Sequence, residues 1–533
     1  MNYSKAELWQ RFQKYYTEFP SIGLSLDLSR MRFPDDYFET MRDKTKAALE
    51  EMQALEAGAI ANVDEGRMVG HYWLRNPSLA PNESIRREIE ATIGRITSFA
   101  ADVHAGSIRG QSGDFKTLLL IGIGGSSLGP QFVANALGHP RTNRMTPFFF
   151  DNTDPDGMER VLTSIGDLGR TLCIVISKSG GTKETRNGML EAMAAYERAG
   201  LKFSEQAVAI TRDKSSLHEL ASKQGWLATF PMWDWVGGRT SELSAVGLLP
   251  AALQGIDIHG LIHGAKVCDE ITRCTEVSMN PAAQLALMWY YAGAGIGERN
   301  MVVLPYCDRL ELFSKYLQQL VMESLGKERD RSGRLVRQGI TVFGNKGATD
   351  QHSYLQQLRD GLDDYFATLI QVQDSPGIKP IAVDPGLCSA DYLAGFLLGT
   401  RQALCESGRE LILISLKQVA PESIGSLIAL FERAVGFYAS FIDVNAYHQP
   451  GVEAGKKAAE EVVSLQRRII ELLSKDPSTS LTAEEIAKAI GRPDDAEHVF
   501  LISDRIAARR SGSILRSLGR RICEIKFSLR AVA

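Results

Sequence analysis

Cysteine is scarce in this chain of 533 residues, with seven, at Cys173, Cys268, Cys274, Cys307, Cys388, Cys405 and Cys523. They are odd in number, scattered, and contain no C-x-x-C pair. That excludes a disulfide framework and a cysteine zinc cage, and it fits a reducing compartment. Long apolar runs are also lacking. No stretch of about 18 apolar residues is evident, so no membrane-spanning helix is expected. The charged, amphipathic start MNYSKAELWQRFQKYY has no apolar core of the kind a secretory signal needs. There is no excess charge of one sign: 60 Lys and Arg stand against 64 Asp and Glu, a net charge of −4. This argues against nucleic acid as the main partner, because binding by counterion release needs a basic surface. The nine histidines include no H-E-x-x-H, and His259 with His263 reads as one helix or loop face rather than a ligand pair, so no metal site is expected. Fixed-period repeats and low-complexity tracts are missing too. These absences lead to the expectation of a soluble, cytoplasmic protein with no membrane segment.

What is present is ordinary globular composition, 44% hydrophobic and 23% charged, in a chain too long for one core, since single cores stop growing near ~250–300 residues. Two or more domains are therefore expected. Residues 1 to about 100 read as helices, as in LWQRFQKYYTEF, YFETMRDKTKAALEEMQALEAG and, after the cap-like Asn82, ESIRREIEATIGRITSFAADVHAG, with apolar residues recurring at three and four in the second and third. The pattern then changes. Residues 116–123 (KTLLLIGI), 148–151 (FFFD), 172–176 (LCIVI) and 207–210 (AVAI) are short apolar runs with helical stretches between them. Uninterrupted apolar strands alternating with helices predict a parallel sheet covered on both faces. The series restarts near residue 300, at 300–305, 339–343, 367–372 and 411–416, and predicts a second α/β sandwich. From about 476 the chain differs again. Two helical patterns joined through Gly491 and Pro493 read either as a helix-turn-helix or, more commonly for such patterns, as a helical decoration packed on the core.

Four segments carry chemistry. Residues 122–130 (GIGGSSLGP) follow a strand and open a helix, where glycines let the backbone approach a ligand and unpaired N–H groups face an anion. They lack the G-x-x-x-x-G-K-[ST] pattern of an ATP-type loop. Residues 177–185 (SKSGGTKET) have the same context; the hydroxyls of Ser177, Ser179 and Thr182 and a helix start suit a monophosphate, or a capping box, or both. Two such loops converge at the carboxyl edge of an open sheet, where ligands bind. Residues 235–241 (WVGGRTS) place Arg239 beside two glycines, suited to a developing oxyanion. The fourth segment is a set from the second sandwich: Gln319 and Glu323 on one helix face, Asp350-Gln351-His352 before another helix, and residues 447–456 (YHQPGVEAGK) opening a third. Glu, His and Lys are the groups that move protons.

Together these segments resemble the phosphoglucose isomerase family. Residues 234–247 (DWVGGRTSELSAVG) resemble one family signature and residues 436–456 (GFYASFIDVNAYHQPGVEAGK) the other, with GIGGSSLGP, SKSGGTKET, MES and DQH in the expected order. The match runs from about residue 60 to 475. The resemblance implies an α/β protein with two αβα sandwich domains of the flavodoxin-like sugar-isomerase (SIS) type, built on parallel sheets, plus helical N- and C-terminal segments. The implied division is an N-terminal helical segment (1–100), a first SIS domain with the phosphate loops and Arg239 (101–290), a second with Glu323, His352 and Lys456 (291–475), and a helical C-terminal tail (476–533). The implied reaction is the reversible aldose–ketose interconversion of glucose 6-phosphate and fructose 6-phosphate, through ring opening and a cis-enediol, in glycolysis and gluconeogenesis, with no cofactor and no metal. Glu323 matches the family's base, Arg239 the group that stabilises the enediolate, and Lys456 and His352 the ring-opening groups. Gly125, Ser126, Ser177, Lys178, Ser179 and Thr182 match the phosphate-binding loops, and Glu184, Gln319 and Gln449 match sugar-contacting positions. The matching histidine comes from the other subunit, which implies a homodimer with shared active sites and no nucleic-acid or membrane partner. The sequence departs from the common pattern at Gly180-Gly181, Thr240 and His448. Two other classes remain open at this point: a sugar-phosphate sensor with a C-terminal DNA-binding helix-turn-helix, and an isomerase of another sugar phosphate.

Overall fold

Short apolar runs become strands here, because such a run buries both of its faces only in a sheet covered on both sides. The computed structural model describes residues 4–377, 379–509 and 512–530, apart from the side chains of Val452, Glu453, Ala454 and Lys456. The chain divides into two units, Met1–His448 and Gln449–Ala533.

The first unit holds two large sheets. The five strands of one lie in the order Thr146–Phe150, Thr117–Ile121, Thr171–Ile176, Ala207–Thr211, Ala228–Pro231, all parallel. Leu119 lies opposite Phe148 on one side and Cys173 on the other. Alternate residues enter different cores: Leu118, Leu120, Ile174 and Ile210 join one, and Leu119, Ile121, Val175 and Ala209 the other. Both faces are therefore buried, which makes an αβα sandwich. The outer face packs on Met189, Ala192 and Tyr196 of the helix Lys183–Arg198.

The six-stranded sheet has the order Tyr16–Phe19, Leu24–Arg30, Leu411–Gln418, Tyr365–Asp374, Asn300–Pro305, Val342–Phe343. Its last four strands are parallel, and its two faces likewise split between two cores, as Met301 and Val303 against Val302 and Leu304 show. The first two strands are antiparallel additions from the N-terminus, with Leu26 opposite Ile414. Residues 16–30 therefore depart from the expected all-helical N-terminal segment. The alternating polar residues of Leu24–Arg30 (LSLDLSR) are not solvated: Ser25, Asp27 and Ser29 are buried, and Arg401 reaches in to pair with Asp27. The strand Ala228–Pro231 was also not expected.

The inner faces of both sheets share one core. The helix Pro421–Phe441 runs through it and is long and apolar enough to cross a membrane, yet 94% of its most apolar window is buried inside the protein. Among the described residues it is the one helix of that length and apolarity. Buried within it, Glu432 and Arg433 pair with Arg75 and with Glu56, as buried charges must.

The second unit has its own core of Leu465, Ile469, Ile486, Val499, Ile502, Ile514 and Phe527, among others. The helix Pro450–Lys475 leads to the two-residue strand Leu481–Thr482, the helices Ala483–Ala489 and Ala496–Ala508, and the strands Ile514–Arg516 and Lys526–Leu529. The unit thus begins near residue 449 rather than 476, and it contains a hairpin that the helical reading of 476–533 left out.

Candidate active site

Three loops and one helix bring most of the expected residues together at the carboxyl edge of the five-stranded sheet. The first loop follows the strand Thr117–Ile121 as a 3-10 turn, Gly124–Ser126, and Ser126 is buried. The second, after the strand Thr171–Ile176, carries Ser177, Ser179 and Thr182. The Ser177 hydroxyl accepts from the Gly180 N–H at 3.1 Å and donates to the Thr182 hydroxyl at 3.4 Å; the Ser179 hydroxyl accepts from the Gly181 N–H at 3.1 Å. Thr182 stands at the N-cap of the helix Lys183–Arg198, with Glu184 in its first turn and no side chain capping it. The capping-box alternative therefore does not form, and the start of the helix is a place that suits an anion. Gly180 has φ +73°, and a Cβ there would stand 2.4 Å from the Leu217 N–H nitrogen, which accounts for glycine at that position.

The third loop carries Arg239 on the 3-10 turn Gly238–Thr240. It touches the first so closely that a Cβ on Gly125 would lie 1.8 Å from the Gly238 carbonyl oxygen. Lys178 ties the second loop to the third: its ammonium donates to the Asp234 and Val236 carbonyls at 3.1 and 3.2 Å. Burial pulls this lysine below its ordinary range, with Asp234 opposing. Its charge is thus committed to the Arg239 loop.

The helix Phe313–Leu317 continues as a π-helix, Gln318–Glu323, a local widening often found at functional sites. Gln319 Nε2 lies 3.1 Å from where a Cβ on Gly124 would stand, so it faces the first loop. Glu323 Oε2 lies 3.5 Å from Arg239 Nε, and it is buried without a hydrogen-bond partner. The guanidinium, 5% exposed, is held from its far side: Nη1 donates to the Ala446 carbonyl at 3.0 Å and to the Ser324 hydroxyl at 3.4 Å, and Nη2 donates to the His448 carbonyl at 3.1 Å. Burial lowers the Arg239 pKa, with Glu323 and Glu65 opposing. The result is a fixed cation paired with a carboxylate whose inner oxygen accepts no hydrogen bond, and such pre-aligned donors stabilise developing anions without reorganising.

Sequence reasoning missed several supporting groups. Lys327, one turn beyond Glu323, donates to the Glu323 carbonyl at 2.7 Å. Burial and the neighbouring Arg239 push its pKa down to about 7, with Glu323 and Asp64 opposing. The i,i+4 spacing from Glu323 was the available signal. The turn that receives Arg239 is built by Asn445, whose amide donates to Asn62 at 3.0 Å and to Asp64, and whose carbonyl oxygen of the side chain accepts from the Tyr447 N–H at 2.9 Å. His448, noted as a departure, lends its backbone carbonyl to the site, and burial lowers its own pKa.

His352 is elsewhere. It is exposed on the 3-10 turn Thr349–His352, which Asp350 holds by accepting from the Asn345 N–H at 2.9 Å and from the Tyr354 hydroxyl. Among the described residues, no hydrogen bond or ion pair joins it to Glu323 or Arg239. Gln449 stands at the N-cap of Pro450–Lys475 in the second unit, and the Lys456 side chain lies outside the described residues. Among the described residues no group of three or more His, Cys, Asp or Glu is placed to hold a metal ion.

The sequence profile named phosphoglucose isomerase matches residues 27–377 and 404–482. The chain belongs to the phosphoglucose isomerase family. Its relatives include the glucose-6-phosphate isomerases of Geotalea daltonii, 57% identical over 98% of this chain and 99% of the relative, and of Geobacter sulfurreducens, 56% identical over 98% and 99%. A crystal structure of a glucose-6-phosphate isomerase from Chlamydia trachomatis superposes with a TM-score of 0.78 at 26% identity, covering 87% of this chain and 92% of that one. The two sandwiches are the phosphoglucose isomerase fold, and the clustered loops lie on the stretches whose motifs carry the family signatures.

Proposed function

We propose that the chain interconverts glucose 6-phosphate and fructose 6-phosphate at the Glu323–Arg239 site. The observation that carries this reading is the buried Glu323 Oε2, which accepts no hydrogen bond and stands 3.5 Å from the Arg239 guanidinium. Moving a proton between C1 and C2 needs one carboxylate, which returns the proton it takes, and one cation for the enediolate that forms between the two steps. Arg239 supplies the cation, and its three other contacts keep it in place throughout. The substrate phosphate sits on the hydroxyls of Ser177, Ser179 and Thr182 and the uncapped helix start, with Gly125 and Ser126 beside it. Gln319, Glu184 and Gln449 meet the sugar hydroxyls.

Ring opening requires a proton delivered to the ring oxygen and one removed from the C1 hydroxyl. Lys456 and His352 take these roles, with His352 of the partner subunit entering the site in a homodimer. The exposed turn that carries His352, unlinked to Glu323 within its own chain, supports that arrangement. The enzyme acts in the cytoplasm, in glycolysis and gluconeogenesis, and needs neither metal nor cofactor.

The test is Glu323→Gln. Amide for carboxylate keeps shape but removes the base, so kcat should fall by at least 10³-fold, while the affinity for a competitive sugar phosphate changes only a few-fold. Hydrogen exchange at C2 with solvent should vanish in parallel. A variant that keeps most of its kcat refutes Glu323 as the base.

A further inference from the structure

The second unit is more than a helical decoration. Its order is helix, strand, helix, turn, helix, hairpin, and its three antiparallel strands lie in the order Leu481–Thr482, Lys526–Leu529, Ile514–Arg516. The helices Ala483–Ala489 and Ala496–Ala508 are joined through Gly491, at φ +70°, and the 3-10 turn Pro493–Asp495. That is a helix-turn-helix with a β-hairpin arm. Val499, Ile502 and Ile506 anchor the later helix in the unit's own core. Glu497, His498, Leu501 and Arg505 are left on its outer face. Thirteen residues give about 20 Å of helix, of a diameter that the major groove of B-form DNA admits.

Charge follows the same geography. The whole-chain value of −4 averages over opposite regions: residues 449–500 carry seven Lys and Arg against ten acids, whereas residues 501–533 carry eight against two. The basic residues cluster on the end of the later helix and on the arm. Arg516 pairs with Asp504 at 2.6 Å, which ties the arm to that helix. Arg509, Arg520, Arg521 and Lys526 are exposed, and among the described residues none of them has an ion pair. The family profile ends at residue 482, so the helix-turn-helix and its arm lie beyond the profile, although the isomerase relatives align along nearly the whole chain.

We infer that this unit binds duplex DNA, with the helix Ala496–Ala508 entering the major groove and Arg509, Arg520, Arg521 and Lys526 gripping phosphates on either side. The charge argument against nucleic acid drawn from the whole chain does not apply to a unit of the opposite sign. A-form RNA offers a major groove too deep and narrow for a helix, so B-form DNA is the fitting duplex.

The full-length chain is titrated against a labelled 24-bp DNA duplex of mixed sequence, read by fluorescence anisotropy. Four phosphate contacts predict a log–log salt slope near −3.6, so affinity should fall on the order of 10²-fold between 50 and 200 mM KCl. Arg520→Ala with Arg521→Ala should weaken binding at least tenfold at 50 mM KCl and reduce the slope by about 2. Arg520→Lys with Arg521→Lys should keep the slope. All variants should retain the parent isomerase kcat, which reports that they fold. Absence of binding at 50 µM protein and 50 mM KCl overturns the inference, as does binding that ignores the arginine variants. Equal affinity for single-stranded DNA or an RNA duplex, or displacement by polyglutamate as effective as by unlabelled DNA, assigns the surface to another polyanion and overturns it as well.

Discussion

Replacing Gly125 by alanine should displace Arg239, the proposed catalytic cation, without touching its guanidinium. Gly125 is not among the residues with positive φ, so alanine adds no backbone strain, and its one new atom meets the third loop head-on. The added Cβ would stand 1.8 Å from the Gly238 carbonyl oxygen, 2.3 Å from its carbon and 3.0 Å from the Arg239 nitrogen. Ordinary contact begins at about 3.4 Å, so the two loops must part by about 1.6 Å. Arg239 follows Gly238 directly, and its Nε is 3.5 Å from Glu323. A misplacement of about 1 Å in a reacting constellation costs on the order of 10²-fold in rate, equivalent to about 2.7 kcal/mol. Gly125 also stands beside the proposed phosphate site, so KM should rise as well, while the loss that comes through Arg239 appears in kcat. The assay couples glucose 6-phosphate formation from fructose 6-phosphate to a dehydrogenase and follows NADPH absorbance, with circular dichroism confirming the fold. A folded Gly125→Ala variant whose kcat stays within threefold of the parent refutes the idea that the Gly125–Gly238 contact positions Arg239.

Thr182→Ala removes a hydroxyl from the helix start and should raise KM for fructose 6-phosphate about tenfold, with kcat nearly unchanged and the inhibition constant of inorganic phosphate rising in step; an unchanged phosphate constant contradicts the assigned anion site. His352→Ala and Glu323→Gln, each inactive alone, should recover about a quarter of parental activity when refolded as an equimolar mixture, because half of the dimers are mixed and each of those holds one intact site of two; a dead mixture with mixed dimers present places His352 in its own chain's site. Lys327, pushed down to about 7 from 10.5, is neutral in the fold but protonated in the unfolded chain between those values. Unfolding therefore takes up a proton there, stability rises with pH across that window, and below pH 7 the fold bears the full cost of the buried cation. Lys327→Met should accordingly stabilise the protein at pH 6 by about 3–5 kcal/mol, with the gain fading towards pH 10 in denaturant titrations; a gain equal at both pH values refutes the depressed lysine.

Much of this protein is legible in its residues because the relevant signals are local. An apolar run too short for a helix can bury both faces only as a central parallel strand, so the strands at Thr117–Ile121, Thr171–Ile176 and Asn300–Pro305 announce themselves. Hydroxyls and glycines at a strand-to-helix junction mark the phosphate loops, and the long signatures around Arg239 and residues 436–456 mark the family. What lies beyond the range of a local pattern was decided only in three dimensions. Leu24–Arg30 reads as polar on alternate positions, yet those positions are buried, because Arg401, 374 residues away, neutralises Asp27. Lys178 stands among the phosphate hydroxyls in sequence, but its ammonium reaches across to Asp234 and Val236. Arg239 owes its orientation to carbonyls of Ala446 and His448, more than 200 positions downstream. The hairpin arm of the second unit pairs strands of three and four residues, too short for periodicity to register. Periodicity records what a residue needs buried, but which charge or carbonyl meets a given side chain depends on where distant segments pack, and that is settled only when the core closes.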